Sequence, residues 1–290
     1  MKYLTLRLPR QTKLALITLG ITGVLVIVLL GYNVLHQIQD VPIKSNLLKM
    51  ISALVADTFT NHIVWELVLN ALVIFSLTAF GKNIIQQMRL YRSWNRYVNA
   101  YRDLEMFNSV VAKFKLEKIR FVILNETKMI AMTIGFLKPK IVLSSYVLER
   151  FDENELEAII YHELYHYKSR HPLQLFILNV VADCLAFLPV VKELVQHYKV
   201  WMELLADRYS IKRMGSEVPI SHVLLAVLKN EQLKNQALGV HFANEAINYR
   251  LMQLIEPNKK INIPLFNWKK LTASLFMLQV MLSIFIYSCV

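Results

Sequence analysis

Residues 14–35 read LALITLGITGVLVIVLLGYNVL, a run without one charged side chain. At about 1.5 Å per residue, a helix of this length covers the roughly 30 Å hydrocarbon core of a bilayer, where only a helix or a closed barrel satisfies its own backbone. The chain is therefore expected to enter a membrane, and the rest of its architecture must be compatible with that. The competing reading is a cleaved signal peptide. The run is too long for an ordinary signal core and lacks a small-residue cleavage site at its end.

A second run, 63–80, reads IVWELVLNALVIFSLTAF, with Glu66 near its start and Lys82 just beyond it. Lys2, Arg7, Arg10 and Lys13 precede the first run; Lys82, Arg89, Arg92, Arg96 and Arg102 follow the second. The loop between them carries only Lys44 and Lys49 against Asp40 and Asp57. The positive-inside bias places both basic flanks in the cytoplasm. This also accounts for the formal net charge of +12, from 33 Lys and Arg against 21 Asp and Glu, in a chain that is 55% hydrophobic. No nucleic-acid recognition motif accompanies the charge, so direct nucleic-acid binding is not expected. A last run, 271–287, follows Lys269-Lys270 and reads as a membrane helix. The expected organisation is an N-terminal membrane region, 1–81, with spans at 14–35 and 63–80, then a cytoplasmic domain, 82–268, and a C-terminal transmembrane helix, 269–290. The N-terminus and active site are then cytoplasmic and the C-terminus is outside.

The cytoplasmic part begins as polar, basic helix over 82–118. Strand patterns follow in RFVIL (120–124), IAMTIGF (130–136) and at 141–143, the last preceded by a Lys138-Pro139 turn signal. Asp152 and Glu155 then have the spacing of a helix-capping box. The helix they open carries His162-Glu163-Leu164-Tyr165-His166, an H-E-x-x-H pattern. On a helix the two histidines lie one turn apart on one face, so both can reach one ion. Glu163, one position round, can stand beside that ion and take a proton from its water. With only two cysteines, Cys184 and Cys289, a metal would be held by histidine and carboxylate.

A third ligand is offered by Glu203-Leu204-Leu205-Ala206-Asp207, the E-x-x-A-D arrangement that supplies it in gluzincin peptidases. Three protein ligands with one open position form a catalytic rather than a structural zinc site. The cofactor expected is thus one Zn2+ on His162, His166 and Glu203, with Glu163 as base. Asp207 is expected to orient a ligand histidine, His162. His197, Tyr198 and Arg208 are weaker candidates for oxyanion stabilisation. The 130–135 strand could bind substrate by strand addition. His171 is off the helical spacing and next to Pro172, and an interfacial role is expected for it, with Lys168 and Arg170 at lipid phosphates. His36, His62, His222 and His241 lack carboxylate partners in register.

The apolar run 173–191, broken by Asp183 and Pro189, imposes a topological condition. A single crossing would put His166 and Glu203 on opposite faces of the membrane. A shared ion therefore requires this segment to be re-entrant or interfacial.

In order and spacing, IGFLKPKIVLSS, ELEAIIYHELYHYKSRHPL, AFLPVVKEL and MELLADRYS resemble the BlaR/MecR-type antirepressor family of integral-membrane zinc metallopeptidases. More distantly they resemble HtpX-type and CAAX prenyl proteases. The resemblance implies a mainly α membrane protein with a cytoplasmic α+β gluzincin metallopeptidase domain around a small sheet. It implies an endopeptidase that acts in signal transduction on a cytoplasmic protein substrate, a DNA-binding transcriptional repressor. The family's sensor transducers carry an extracellular penicillin-binding domain after the last span, which is expected to be lacking here. The other partner expected is the lipid bilayer, and a homo-oligomer is left open. The alternatives are a membrane-protein quality-control protease and a non-catalytic zinc-binding receptor.

Overall fold

The structure is a computed structural model and describes residues 6–40, 63–114, 119–234, 241–256 and 261–288. Lys2, Lys44, Lys49, Asp57, His62 and Cys289 lie outside the described residues. The described chain is mostly helical with one small mixed sheet. It divides into two compact units: 1–12, 86–178 and 196–263 form one; 13–85, 179–195 and 264–290 form the other.

In the first unit, alternating side chains in three short segments organise the packing. β1 (Phe121–Leu124), β2 (Ala131–Ile134) and β3 (Lys140–Ser144) lie in the order β1-β3-β2, with β1 parallel and β2 antiparallel to β3. Side chains of a strand point alternately to its two faces, and both faces here are covered. Val122, Leu124 and Val142 meet Trp94, Tyr97 and Val98 on one side. Phe121, Ile123, Ile141 and Leu143 meet Leu156, Ile159, Ile160 and Leu164 on the other. The central strand and β1 are thus buried, whereas β2 stays half-exposed at the edge.

Trp94, Tyr97 and Val98 belong to α2 (Ile63–Tyr101), which follows α1 (Arg10–Asp40) and precedes α3 (Leu104–Phe114). α2 is continuous through residues 81 and 82, where the sequence reading placed a domain boundary, because no glycine–proline break or cap interrupts it before Arg102. After α4 (Ser145–Arg150) comes α5 (Glu153–Ser169), opened by a complete capping box. Glu155 N–H donates to Asp152 Oδ1 at 2.8 Å, and Asp152 N–H donates to Glu155 Oε2 at 3.1 Å. Two otherwise unsatisfied donors are thereby paired, and the early carboxylates suit the positive end of the helix dipole.

The apolar run after α5 is divided between two helices. α6 (His171–Cys184) has 14 residues, about 21 Å of helix, and falls short of a bilayer core. A turn at 185–188, closed by Leu188 N–H to the Leu185 carbonyl at 2.8 Å, leads into α7 (Pro189–Met214). Pro189 stands at the first position of α7, where a missing N–H costs nothing. α7 returns beside α6, with Tyr198 Oη donating to Gln174 Oε1, and is tied to α5 by Ser210 Oγ donating to the Ala158 carbonyl at 2.8 Å. α8 (Val218–Lys234) and α9 (His241–Ile255) complete this unit, with Ile220, Leu224 and Leu254 packed on Ala158 and Ile211.

The second unit contains α1, the first part of α2, the tip of the α6–α7 hairpin and α10 (Trp268–Ser288). Arg10–Tyr32 and Leu67–Tyr101 are long and apolar enough to cross a membrane. Ile27 is 70% exposed, and Ile21, Ile74 and Leu77 are similarly uncovered, apolar surface of the kind that lipid rather than water accommodates. Polar groups at the hairpin tip are paired within the unit. Asn83 Nδ2 donates to Asp183 Oδ2 at 3.1 Å, Ser76 Oγ donates to the Cys184 carbonyl at 2.9 Å, and the N–H of Val190 donates to Ser274 Oγ at 3.0 Å. Asp183, the residue that argued against a simple span, is held by a neighbouring amide.

Gly135, between β2 and β3, has φ +94°, and a Cβ there would lie 2.8 Å from the Lys138 carbonyl oxygen. Gly135→Ala should therefore cost roughly 1–3 kcal/mol. The expected observation is a lower thermal midpoint for the purified protein.

Candidate metal and catalytic site

α5 and α7 bring the sequence-predicted residues to one place. His162 and His166 are one turn apart on the buried face of α5 and both are buried. Their Nε2 atoms face each other at 3.1 Å. Glu203, on α7, presents Oε2 at 3.4 Å from His162 Nε2 and Oε1 at 3.7 Å from His166 Nε2. Three ligand atoms, one from each residue, lie within 4.8 Å of one another. Glu163 is buried beside them, and Asp207, fully buried, reaches His162 from the far side.

This donor set fits a small divalent ion. Bonds of about 2.0 Å at tetrahedral angles separate ligand atoms by about 3.3 Å, close to the distances observed. Asp207 Oδ1 lies 2.9 Å from His162 Nδ1, but the ring's N–H direction is not aligned on it, leaving a buried Nδ1 without an aligned acceptor.

The charge states favour the same use. Burial alone would lower the His162 pKa, but the Asp207 and Glu203 carboxylates outweigh it and lift the value to about 9. Burial lowers His166 to about 4, only partly offset by Glu203. Glu203 is opposed by burial too, yet His166, His162 and Arg250 hold its carboxyl well below the usual range. The site thus offers a neutral His166 and an ionised Glu203, and an ion would displace a proton from His162. Burial raises the Glu163 pKa, the direction a general base working near neutrality needs.

Three contributors were not predicted. Arg250, on α9, clamps Asp207 with Nε to Oδ2 at 2.7 Å and Nη2 to Oδ1 at 2.8 Å, while its Nη1 approaches Glu203 Oε2 at 3.4 Å. Burial disfavours its charge, but Asp207 and Glu203 more than compensate and keep it protonated. Thr133, on β2, places Oγ1 at 2.8 Å from Glu163 Oε2 and 3.0 Å from the Glu163 carbonyl oxygen, tethering the carboxylate to the edge strand. His171 is buried with Nδ1 at 2.8 Å from His166 Nδ1. That burial replaces the interfacial role expected for it. Neither Arg250 nor Thr133 carries a sequence signal of its own. His171 was set aside because its spacing is not helical.

A cavity of ≈ 460 Å³ opens on this cluster. Its wall combines His162, Glu163, His166, Glu203 and Arg250 with apolar groups including Met129, Ile159 and Val223. His197, Tyr198 and Arg208 do not line it. His197 faces Thr12 Oγ1 at 3.0 Å, and Arg208 Nε donates to Gln253 Oε1 at 2.7 Å beneath the Trp201 ring. Tyr198 is used by Gln174. Lys168 Nζ donates to Tyr209 Oη at 3.1 Å. His222 Nδ1 lies 3.3 Å from Glu155 Oε1, so this histidine does have a carboxylate neighbour. The side chains of His36 and His241 lie outside the described residues.

Arg250→Leu would leave Asp207 charged, wholly buried and without its bidentate partner, a loss of about 3–5 kcal/mol. The thermal midpoint should fall by more than in the Gly135 variant. Asp207→Leu in the same chain should recover part of the loss, a coupling measured by the double-mutant cycle.

A family model described as BlaR1 peptidase M56 matches residues 14–254 of the chain. No curated protein matches it.

Proposed function

The chain belongs to the BlaR1 peptidase M56 family, and on that premise we propose that it is a membrane-embedded zinc endopeptidase that cleaves a cytoplasmic regulatory protein, a transcriptional repressor. The observation that carries the reading is the convergence of His162 Nε2, His166 Nε2 and the Glu203 carboxylate on the wall of a cavity, with Glu163 buried beside them. A structural metal site would be closed by a fourth protein ligand. Here the ligand side chains open onto a space large enough for a peptide segment.

When bound, the ion supplies a Lewis acid that polarises a carbonyl and acidifies water. The protein's own groups have separable tasks. Glu163 takes the proton from the attacking water and returns it to the leaving amine, and Thr133 Oγ1 holds its carboxylate in place. Asp207, charged and clamped by Arg250, lies 2.9 Å from His162 Nδ1, and a turn of the ring that aligned its N–H on that carboxylate would keep Nε2 free. β2 has one ladder partner among the described strands, and its other edge offers backbone groups for an extended substrate segment. The basic flanks of the first two apolar runs support a cytoplasmic placement of the site. The repressor is the substrate that the resemblance implies.

Glu163→Gln should keep wild-type metal content and lose hydrolysis by at least about 10²–10⁴-fold. His162→Ala, His166→Ala and Glu203→Ala should lose both. Metal analysis of purified protein, paired with comparative proteomics of cells carrying Glu163→Gln, tests the reading. A regulator whose full-length form accumulates is expected, and unchanged hydrolysis by the Gln variant would overturn the assignment of the base.

A further inference from the structure

α5 does not run straight into α6. Arg170, which caps α5, has φ 53° and ψ 39°, and it is the one non-glycine residue with positive φ among the described residues. A left-handed residue with a Cβ costs roughly 1–2 kcal/mol, so the turn must be held by its own hydrogen bonds and by the packing of the helix it opens. The Arg170 N–H donates to the Tyr167 carbonyl at 3.2 Å, and its carbonyl accepts from Leu173 N–H at 3.1 Å and from Gln174 N–H at 3.3 Å. α6 begins at the very next residue, His171.

In an uninterrupted helix, residues five apart differ by about 140° in direction and about 7.5 Å in height. His171 would then point away from His166. The left-handed turn instead folds it back, so that the two Nδ1 atoms lie 2.8 Å apart. The His171 ring is held edge-on between the rings of His166, centroids 4.9 Å apart, and Tyr165, centroids 5.3 Å apart. It is buried and has little freedom to turn.

Two ring nitrogens at this distance share one proton, and its position decides what the other side of His166 can do. If His171 were the donor, the remaining proton of a neutral His166 would sit on Nε2, pointing at His162 Nε2 3.1 Å away and occupying the direction a metal needs. If His166 is the donor, its Nε2 carries a lone pair aimed at His162 and Glu203. The geometry points to the second arrangement: we propose that His171 is the positioning residue for His166, accepting the His166 Nδ1–H at its own Nδ1 and so fixing His166 as a metal ligand through Nε2. The proposal rests on His166 being a ligand, as read above.

The residue type also fits the charge balance. Glu163, Glu203 and Asp207 bring three buried or half-buried carboxylates to the site, and Arg250 is the cation paired with two of them. A divalent ion brings that set to neutrality. A neutral imidazole at residue 171 supplies the acceptor without adding a fourth carboxylate, whose desolvation the site would have to offset. Asp207 and His171 thus act as a pair, each addressing the Nδ1 of one ligand histidine.

The test uses purified full-length protein and zinc affinity measured against a competing chelator, with the absorption bands of the cobalt-substituted protein as a second readout. His171→Leu fills similar space without an acceptor; His171→Asn offers a carbonyl oxygen near the position of Nδ1. Zinc affinity should fall about 10–100-fold in the Leu variant, with altered cobalt bands, and stay within a few-fold of wild type in the Asn variant. Wild-type affinity in His171→Leu would overturn the proposal. So would equal losses in Leu and Asn, with or without a lower thermal midpoint, since packing alone would then explain them. His166→Ala separates the two levels of inference. If it retains zinc, the ligand reading itself fails; if it loses zinc while His171→Leu does not, only the role of His171 fails.

Discussion

One ion can join α5 to α7 only if the chain between them returns to the side it left. The hydrocarbon core of a bilayer enforces this strictly, because a crossing would separate His166 from Glu203 by tens of ångströms. α6 is too short to cross, the turn at 185–188 reverses the direction, and Tyr198 meets Gln174 on the way back. Everything at the site depends on that reversal. Asp183, Pro189 and Val190 mark where it is made, and each has its polar requirement met locally, by Asn83, by helix position and by Ser274.

The second requirement is electrostatic. Three carboxylates cannot be gathered in a largely buried cluster unless positive charge is gathered with them. Arg250 reaches Asp207 with two nitrogens and Glu203 with a third, so one guanidinium stabilises both the carboxylate beside His162 Nδ1 and the residue read as the third ligand. The planar fork suits this task in a way a lysine's point charge does not. It also explains why α9, distant in sequence and bearing no motif, belongs to the site. Gln253 and Leu254 anchor the helix to α7 and its neighbours, and Arg250 is the side chain it delivers to the site.

Local patterns were legible in the sequence and long-range deliveries were not. H-E-x-x-H, the Asp152–Glu155 box and the three strands are visible because each is a relation among residues within one element. Glu203 and Asp207 were found because their own spacing is a motif. Arg250 stands alone among polar residues of α9, and nothing local separates it from a solvated arginine. Thr133 looks like an ordinary strand residue until the register with Ile141 sets it on the α5 face of the sheet. His171 is hidden for a different reason. Helical spacing does not apply across the left-handed turn at Arg170, which starts a new helix direction at His171. The change from apolar to basic composition near residue 81 lies within one continuous helix, because a shift in side-chain polarity leaves backbone hydrogen bonding undisturbed.

Thr133 gives the edge strand a meaning beyond shape. β2 is antiparallel to β3 along one edge, and Ala131 and Thr133 turn their side chains toward α5. A peptide added to the outer edge would hydrogen-bond the same backbone from which the Thr133 hydroxyl reaches the Glu163 carboxylate. Under the proposed function, placement of substrate and placement of Glu163 would be referred to one strand, so that a shift in β2 would move both together. Proton transfer is sensitive to fractions of an ångström between donor and acceptor. A substrate rail on the same four residues that tether Glu163 would keep that distance tied to the sheet, whose central strand is buried on both faces, rather than to separate side chains of the cavity wall.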